Sequence, residues 1–401
     1  MERRFNSEKE SLVKKLLMWV MSVAIGGGTL ATVPAVAEVG VSNTAIRIGT
    51  FGPITGANFV FGKYTMNGLE VVFDGVNAAG GIHGRKLELI RVDDHCDPAG
   101  SIAAVRRLLF TEKVFAIVGG ACSNGVMAAK PDIINSGAPF VNFAAASDTI
   151  SAPKVRNIFT SMLTSALESK LQAQYLVDKG IKKVAVVNQP DAWGRDRHDS
   201  LTAALKAANI QILADEELSL DANDATAQVL KIQSSGAGMV VLLSYPKPAA
   251  IFLRDAARLG FKPSFLGTSV IPDPVAFYDQ VAIPGATDKF LTISPIKYQL
   301  TSAEAAPWKA KLLAKFPLDK PHAYNLYGIT AGQLVVKALQ DAGQNLTRDG
   351  FIKALDAIRD LQTTFSPAPL NCQTHQCLRS AAWVQRSPQG TTDVVGISSL
   401  K

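Results

Sequence analysis

Residues 115–147 read FAIVGGACSNGVMAAKPDIINSGAPFVNFAAAS, and their pattern decides the fold. Phe115–Val118 is a short unbroken apolar run, as in a strand buried on both faces. Gly119-Gly120-Ala121-Cys122 is a turn of small residues, and Ser123–Ser136 reads as a helix. Phe140–Phe143 is a second buried strand, followed by Ala144-Ala145-Ala146-Ser147. Strand, helix and strand joined by short turns predict a parallel sheet covered on both faces.

The alternation continues in both directions. Upstream, Ile46–Phe51 is a short strand. A helix near Asn67–Ala79 carries Leu69, Val72, Phe73 and Val76 on one face and ends at Gly80-Gly81. Lys86–Val92 alternates as a strand, and Ala99–Glu112 is helical. Downstream the pattern restarts. Ser165 with Glu168 reads as a capping box opening a helix to about Lys179. Strands follow at Lys183–Asn188, Gln211–Glu217, Met239–Leu243 and Ser264–Gly267, with helices at Arg195–Ala208, Ala225–Ser235 and Pro248–Leu259 between them. Beyond Phe290 come a strand, helices near Ala303–Phe316, Ala323–Ala342 and Thr347–Ile358, and strand-like pieces around Trp383 and Val394. Neither block holds enough elements for its own sheet, so the chain is expected to cross between them more than once. The expected fold is α/β: two Rossmann-like lobes with parallel sheets, several hinge crossovers and a ligand cleft between them. Residues 43–162 with about 291–380 are assigned to the first lobe, and about 163–290 with 381–401 to the second.

The composition agrees. The chain has 401 residues, 47 % of them hydrophobic and 19 % charged, enough for real cores and too apolar for disorder. The net charge of +7 is scattered rather than clustered, so nucleic acid is not an expected partner. Arg3, Arg4, Lys9, Lys14 and Lys15 precede an apolar run from Leu16 to about Ala31, and Ala35-Val36-Ala37 is a small-x-small site. Residues 1–37 therefore read as a signal peptide with cleavage after Ala37. Gly26-Gly27-Gly28 and Pro34 argue against a retained membrane anchor, and no cysteine follows the cleavage site to take a lipid. Removing the segment's five basic and three acidic residues takes the net charge from +7 to +5. The expected product is periplasmic, with a mature chain that does not span the membrane.

Export changes the reading of Cys96, Cys122, Cys372 and Cys377. An even number in an oxidising compartment suggests two disulfides. Of the three possible pairings, the simplest joins Cys372 to Cys377 locally and leaves Cys96 with Cys122. The alternative, a metal held by Cys372, His375 and Cys377, lacks a fourth ligand, so no metal is expected. The Cys372–Cys377 loop reads as a stapled surface hairpin.

Catalytic signatures are missing: no G-x-S-x-G, H-E-x-x-H, P-loop or G-x-G-x-x-G occurs. The five histidines are dispersed. The turn before Ser123 could hold a carboxylate at a helix N-terminus, although a plain N-cap serine is an equally good reading. Small side chains at Ala144–Ser147 let a ligand approach the backbone. A binding protein without a cofactor fits these residues better than an enzyme.

Several motifs occur in a telling order: Ile46-Arg-Ile-Gly with Gly52-Pro-Ile-Thr-Gly56, then Ala78-Ala-Gly-Gly-Ile-His-Gly-Arg85, Asp93-Asp-His-Cys-Asp-Pro98, Gly119–Ser123 and Ala192-Trp-Gly194. In order and spacing the chain from residue 43 resembles the periplasmic solute-binding proteins of branched-chain amino-acid ABC importers, the leucine/isoleucine/valine-binding type, with the type I periplasmic binding fold. The resemblance implies a two-lobed monomer that closes on a small ligand and delivers it to a membrane permease with its ATPase. It also implies a Cys96–Cys122 disulfide. Its ligand contacts map to the Ser123 hydroxyl, to the loop Ala145, Ala146 and Ser147, and to the aromatic residues Phe61, Trp193 and Tyr245. One position departs. Where amino-acid binders place a glutamate for the ligand ammonium, this chain has Thr268 and Ser269. A buried ammonium without a counter-charge is costly, so the ligand is expected to be an aromatic or apolar acid unless Asp191 or Asp273 supplies the charge for a hydrophobic amino acid. The alternatives are a ligand sensor on the same fold and, least favoured, an exported enzyme.

Overall fold

The computed structural model describes residues 38–400. The signal peptide expected at residues 1–37 and its expected cleavage point lie outside the described residues. Five parallel strands make a first sheet: β1 (Ala45–Gly52), β2 (Lys86–Asp93), β3 (Ala116–Gly119), β4 (Phe140–Asn142) and β5 (Ile158–Thr160), in the order β2-β1-β3-β4-β5. Seven make a second: β6 (Lys183–Asn188), β7 (Gln211–Glu217), β8 (Met239–Leu243), β9 (Ser264–Leu266), β10 (Phe290–Ser294), β11 (Ser380–Arg386) and β12 (Thr392–Ser399). Their order is β12-β11-β10-β9-β8-β6-β7, and only the β10–β11 and β11–β12 pairs are antiparallel.

Helices α1 (Phe59–Ala78), α2 (Pro98–Arg106) and α3 (Ser123–Ser136) connect strands of the first sheet. Helix α4 (Ser165–Asp178) carries the chain from β5 to β6 of the second sheet, and α5 (Ala192–Ala207), α6 (Thr226–Ser234), α7 (Pro246–Arg258) and α8 (Pro274–Val281) connect strands of that sheet. After β10 the chain returns to the first-sheet side with α9 (Ala306–Lys315), α10 (Ala323–Asp341) and α11 (Arg348–Ala357). There α10 packs along α1. Gly68 and Gly328 permit this, because a β-carbon at either would collide with the Asn325 or Thr65 carbonyl on the other helix. The chain thus crosses between the sheets three times: after β5, after β10 and before β11. The return follows Ser294, since β10 belongs to the second sheet.

Local signals explain many boundaries. Asp97 accepts a bond from the Gly100 amide and Pro98 opens α2. Gly137, at φ +63°, closes α3 in the left-handed region. Other boundaries differ from expectation. Helix α1 begins at Phe59, well before Asn67, which places Phe61 on its first turn. Beyond Arg106 the helical path widens into a π-helical turn over Arg107–Thr111. The capping box at Ser165 and Glu168 does not form. Thr164 precedes α4 without a side-chain cap, the Ser165 hydroxyl donates to Asp196 (2.7 Å), and Glu168 faces a buried arginine instead.

Both disulfides form, Cys96–Cys122 and Cys372–Cys377. The second does not staple a surface hairpin. Cys372, His375 and Cys377 are fully buried, and the His375 ring stacks 3.8 Å from that of Phe159 in β5. The Thr160 amide donates to the His375 carbonyl, and the Cys377 amide donates to the Thr160 carbonyl, both at 2.8 Å. Residues 375–377 therefore cover the open edge of β5, whose unpaired backbone would otherwise invite another strand.

Candidate functional site

The site begins at the carboxyl ends of the strands. Gly120, at φ +87°, turns the chain after β3 so that Ser123 opens α3. Neighbouring β4 ends at the buried Asn142, whose amide group donates to the Ala145 carbonyl and the Thr160 hydroxyl and accepts from the Ala145 amide (2.6, 2.8 and 3.1 Å). This folds Ala144–Ser147 back over the start of α3. The Ser123 oxygen accepts the Ala146 and Ser147 amides, both at 3.2 Å. With two donors on its oxygen, the hydroxyl proton is left for a further acceptor. No side chain caps α3, so its first-turn amides and the positive end of its dipole are free for an anion.

The facing wall comes from the second sheet. Asp191 caps α5 through the Gly194 amide (2.7 Å) and accepts from the Gln189 side chain (2.8 Å). Gln189, fully buried, also accepts the Tyr245 amide at 3.0 Å, so one side chain sets the relation of the α5 and α7 starts. The rings of Trp193 and Tyr245 lie 4.6 Å apart. Phe61 reaches them from α1, 5.8 Å from Tyr245 and 5.1 Å from Tyr324. Burial pushes the Tyr245 hydroxyl well above the usual phenol range, and Asp191 adds to the effect. Burial likewise raises Tyr324 and Tyr327, so these phenols are neutral donors or acceptors.

These walls enclose a cavity of about 70 Å³. Ser123, Ala146, Phe61, Trp193 and Tyr245, singled out from sequence, all line it. Ala145, Ser147 and Ser269 do not. Ala145 is buried beneath the loop, where its amide bonds to Gly120 and Asn142. Ser147 contributes its amide to Ser123 and turns its hydroxyl to Thr149 (2.9 Å). Ser269 is fully buried, with its hydroxyl on Glu168 and its amide on the same carboxylate. Of the two acids considered as counter-charges, Asp191 lines the cavity, whereas Asp273 caps α8 outside it.

Sequence reasoning missed the support under the aromatic wall. Arg197, 1 % exposed, pairs with the fully buried Glu168 at 2.8 Å, and its guanidinium lies 4.7 Å from the Trp193 ring centroid. Tyr327 donates to the Ser269 carbonyl at 3.0 Å, tying α10 to the second sheet beside this pair. Glu168, Arg197 and Tyr327 come from three different helices, so no local pattern joins them. The arrangement offers groups that can hold and orient a ligand, and among the described residues the recorded partners of the Ser123 hydroxyl oxygen are amides. Among the described residues no cluster of His, Cys, Asp and Glu could hold a metal ion.

A family model described as periplasmic binding protein matches residues 45–391. The amino acid binding protein of Pseudomonas aeruginosa is 27 % identical over 303 residues, which cover 75 % of this chain and 79 % of that one. Among solved structures, the substrate-binding protein LivJ of a Streptococcus pneumoniae branched-chain amino acid transporter, in complex with isoleucine, superposes with a TM-score of 0.74 at 20 % identity. That match covers 89 % of this chain and all of the other. A solute-binding protein of an ABC transporter from R. palustris, in complex with benzoate, gives 0.73 at 20 % identity, covering 88 % and 96 %. At these identities the two structures establish a shared fold.

Proposed function

The chain belongs to the periplasmic binding protein family, and on that premise we propose that it is the extracytoplasmic binding component of an ABC importer. In this reading it captures a small carboxylate-bearing ligand between two lobes and hands it to a membrane permease. The observation that carries the reading is the cavity itself. An uncapped helix N-terminus with a donating Ser123 hydroxyl faces an aromatic wall supplied by the other sheet. The first suits a carboxylate and the second an apolar body. The ligand settles first on Ser123 and the Ala146 loop, and rotation of the second lobe brings Trp193 and Tyr245 over it. Closure removes water and strengthens each hydrogen bond to the carboxylate. The chemistry is capture and release without turnover, and no helix of the described residues is long and apolar enough to cross a membrane.

The ligand favoured is an acid without an α-amino group. Ser269 offers no charge, and Glu168 beside it is already matched by Arg197. A second reading, a hydrophobic amino acid, is supported by Asp191, an acidic group in the cavity wall.

A thermal-shift screen of the purified protein separates the two. Its panel holds leucine, isoleucine, valine, phenylalanine, benzoate-type acids and short fatty acids. A ligand at a hundred times its dissociation constant adds about 2.7 kcal/mol of stability. Stabilisation by amine-free acids, unchanged in Asp191→Asn, is the expected result. Stabilisation by amino acids, lost in that variant, establishes the second reading. Ser123→Ala removes a hydrogen bond to a charged group and should weaken binding roughly ten- to hundredfold in either case.

A further inference from the structure

Behind the aromatic wall lies a second cavity of about 550 Å³, far larger than the first. The two share Phe61, Tyr245, Val270 and Tyr324 as lining, so these four residues stand between them. Among the four, Phe61 of α1 and Tyr245, the residue before α7, approach with ring centroids 5.8 Å apart from the two opposite sides. The outer cavity is walled mainly by apolar groups, among them Val60, Pro246, Pro248, Ile271 and Phe277. Its charged residues include Asp221 and Lys247. Size separates the roles. A water needs roughly 10–15 Å³ of such space, so the 70 Å³ of the inner cavity admits a carboxylate and a few carbons.

We propose that the ligand is an elongated monocarboxylate, an acyl or arylalkyl acid, whose carboxylate sits at Ser123 and whose tail passes between Phe61 and Tyr245 into the outer cavity. This rests on the carboxylate reading of the inner cavity given above. Phe61 and Tyr245 then grip the middle of the ligand from both sides. A short acid occupies the inner cavity alone and leaves the two rings in contact. Specificity is thus set by the outer cavity and not by the aromatic wall.

The test is calorimetric titration of straight-chain acids from about two to ten carbons into the wild type and into Ala276→Trp. Ala276 is an exposed residue of α8 that lines only the outer cavity, so the indole fills that space without touching the Ser123 site. In the wild type, once the inner cavity is full, each further methylene should tighten binding about three- to fourfold, or roughly a hundredfold over four methylenes. Ala276→Trp should abolish that gain and leave the shortest acids unaffected. Affinity that is flat with chain length in the wild type overturns the elongated ligand while short acids still bind. So does an Ala276→Trp loss equal for short and long acids. Absence of binding by every acid, or binding indifferent to Ser123→Ala, overturns the carboxylate reading and this inference with it.

Discussion

Glu168 shows how one residue can be read correctly as a type and wrongly as a role. Its spacing from Ser165 fits a helix cap, but a buried guanidinium and the Ser269 amide and hydroxyl hold it instead. A buried charge left alone costs more than a lost cap. Glu168→Gln should therefore lower unfolding stability by about 3 kcal/mol, because Arg197 stays charged without its partner. Urea denaturation reads this directly. A loss below about 1 kcal/mol, typical of a helix cap, would show that the pair is not an energetic unit. Replacing Glu168 and Arg197 together by methionine should cost less than the single change. Ser123 was legible from its turn at a strand end, and Trp193 and Tyr245 through the family resemblance. Glu168, Arg197 and Gln189 were not, since each acts through partners on other elements. Ser269 was legible as the place of a missing charge, but not as a residue already engaged.

Helix starts and strand edges carry the same lesson one level up. Gln211–Glu217 and Met239–Leu243 were read with their observed ends, because local runs bounded by turn residues specify them. Strand β5 was missed. It has three residues, and residues 375–377, far along the chain, hold its outer edge. Helix α8 was missed although Asp273 and Pro274 carry the N-cap and N1 signal that marks its start. The start of α10 has a pH consequence. His322 caps it by accepting the Tyr324 amide, with its ring stacked 5.3 Å from both Tyr64 and Tyr324. Burial lowers its pKa below the ordinary 6.5, and Asp273 opposes this only in part. Below that value the unfolded chain binds the proton more readily than the folded one. The stability tied to neutral His322 is full above 6.5 and falls as pH drops through the folded-state value. His322→Asn keeps a capping side chain without the titration. Its urea midpoint should fall less than that of the wild type between about pH 7.5 and about pH 5.5. Equal losses would place the acid sensitivity elsewhere.

For the whole molecule, the two-sheet plan with repeated crossing was legible from a shortage of elements in each block. The sheet to which β10 belongs was not, because strand pairing across tens of residues leaves no local mark. Phe61 and Tyr245 meet across the site, with ring centroids 5.8 Å apart. If the sides move as lobes, small-angle scattering should give a radius of gyration that shrinks on saturation with ligand. An unchanged radius, with binding confirmed by calorimetry, would reject hinge closure as the capture step.

The covering of β5 by residues 375–377 also orders events in time. A chain that emerges amino end first, from a ribosome or through a translocation pore, delivers all five strands of the first sheet before half of its length is out. The flank of that sheet then waits for residues near the far end, while the second sheet still lacks β11 and β12. The earliest half of the molecule to be made is thus among the last to be sealed. For that interval an open strand flank is available to any neighbouring chain, a natural point of engagement for a chaperone.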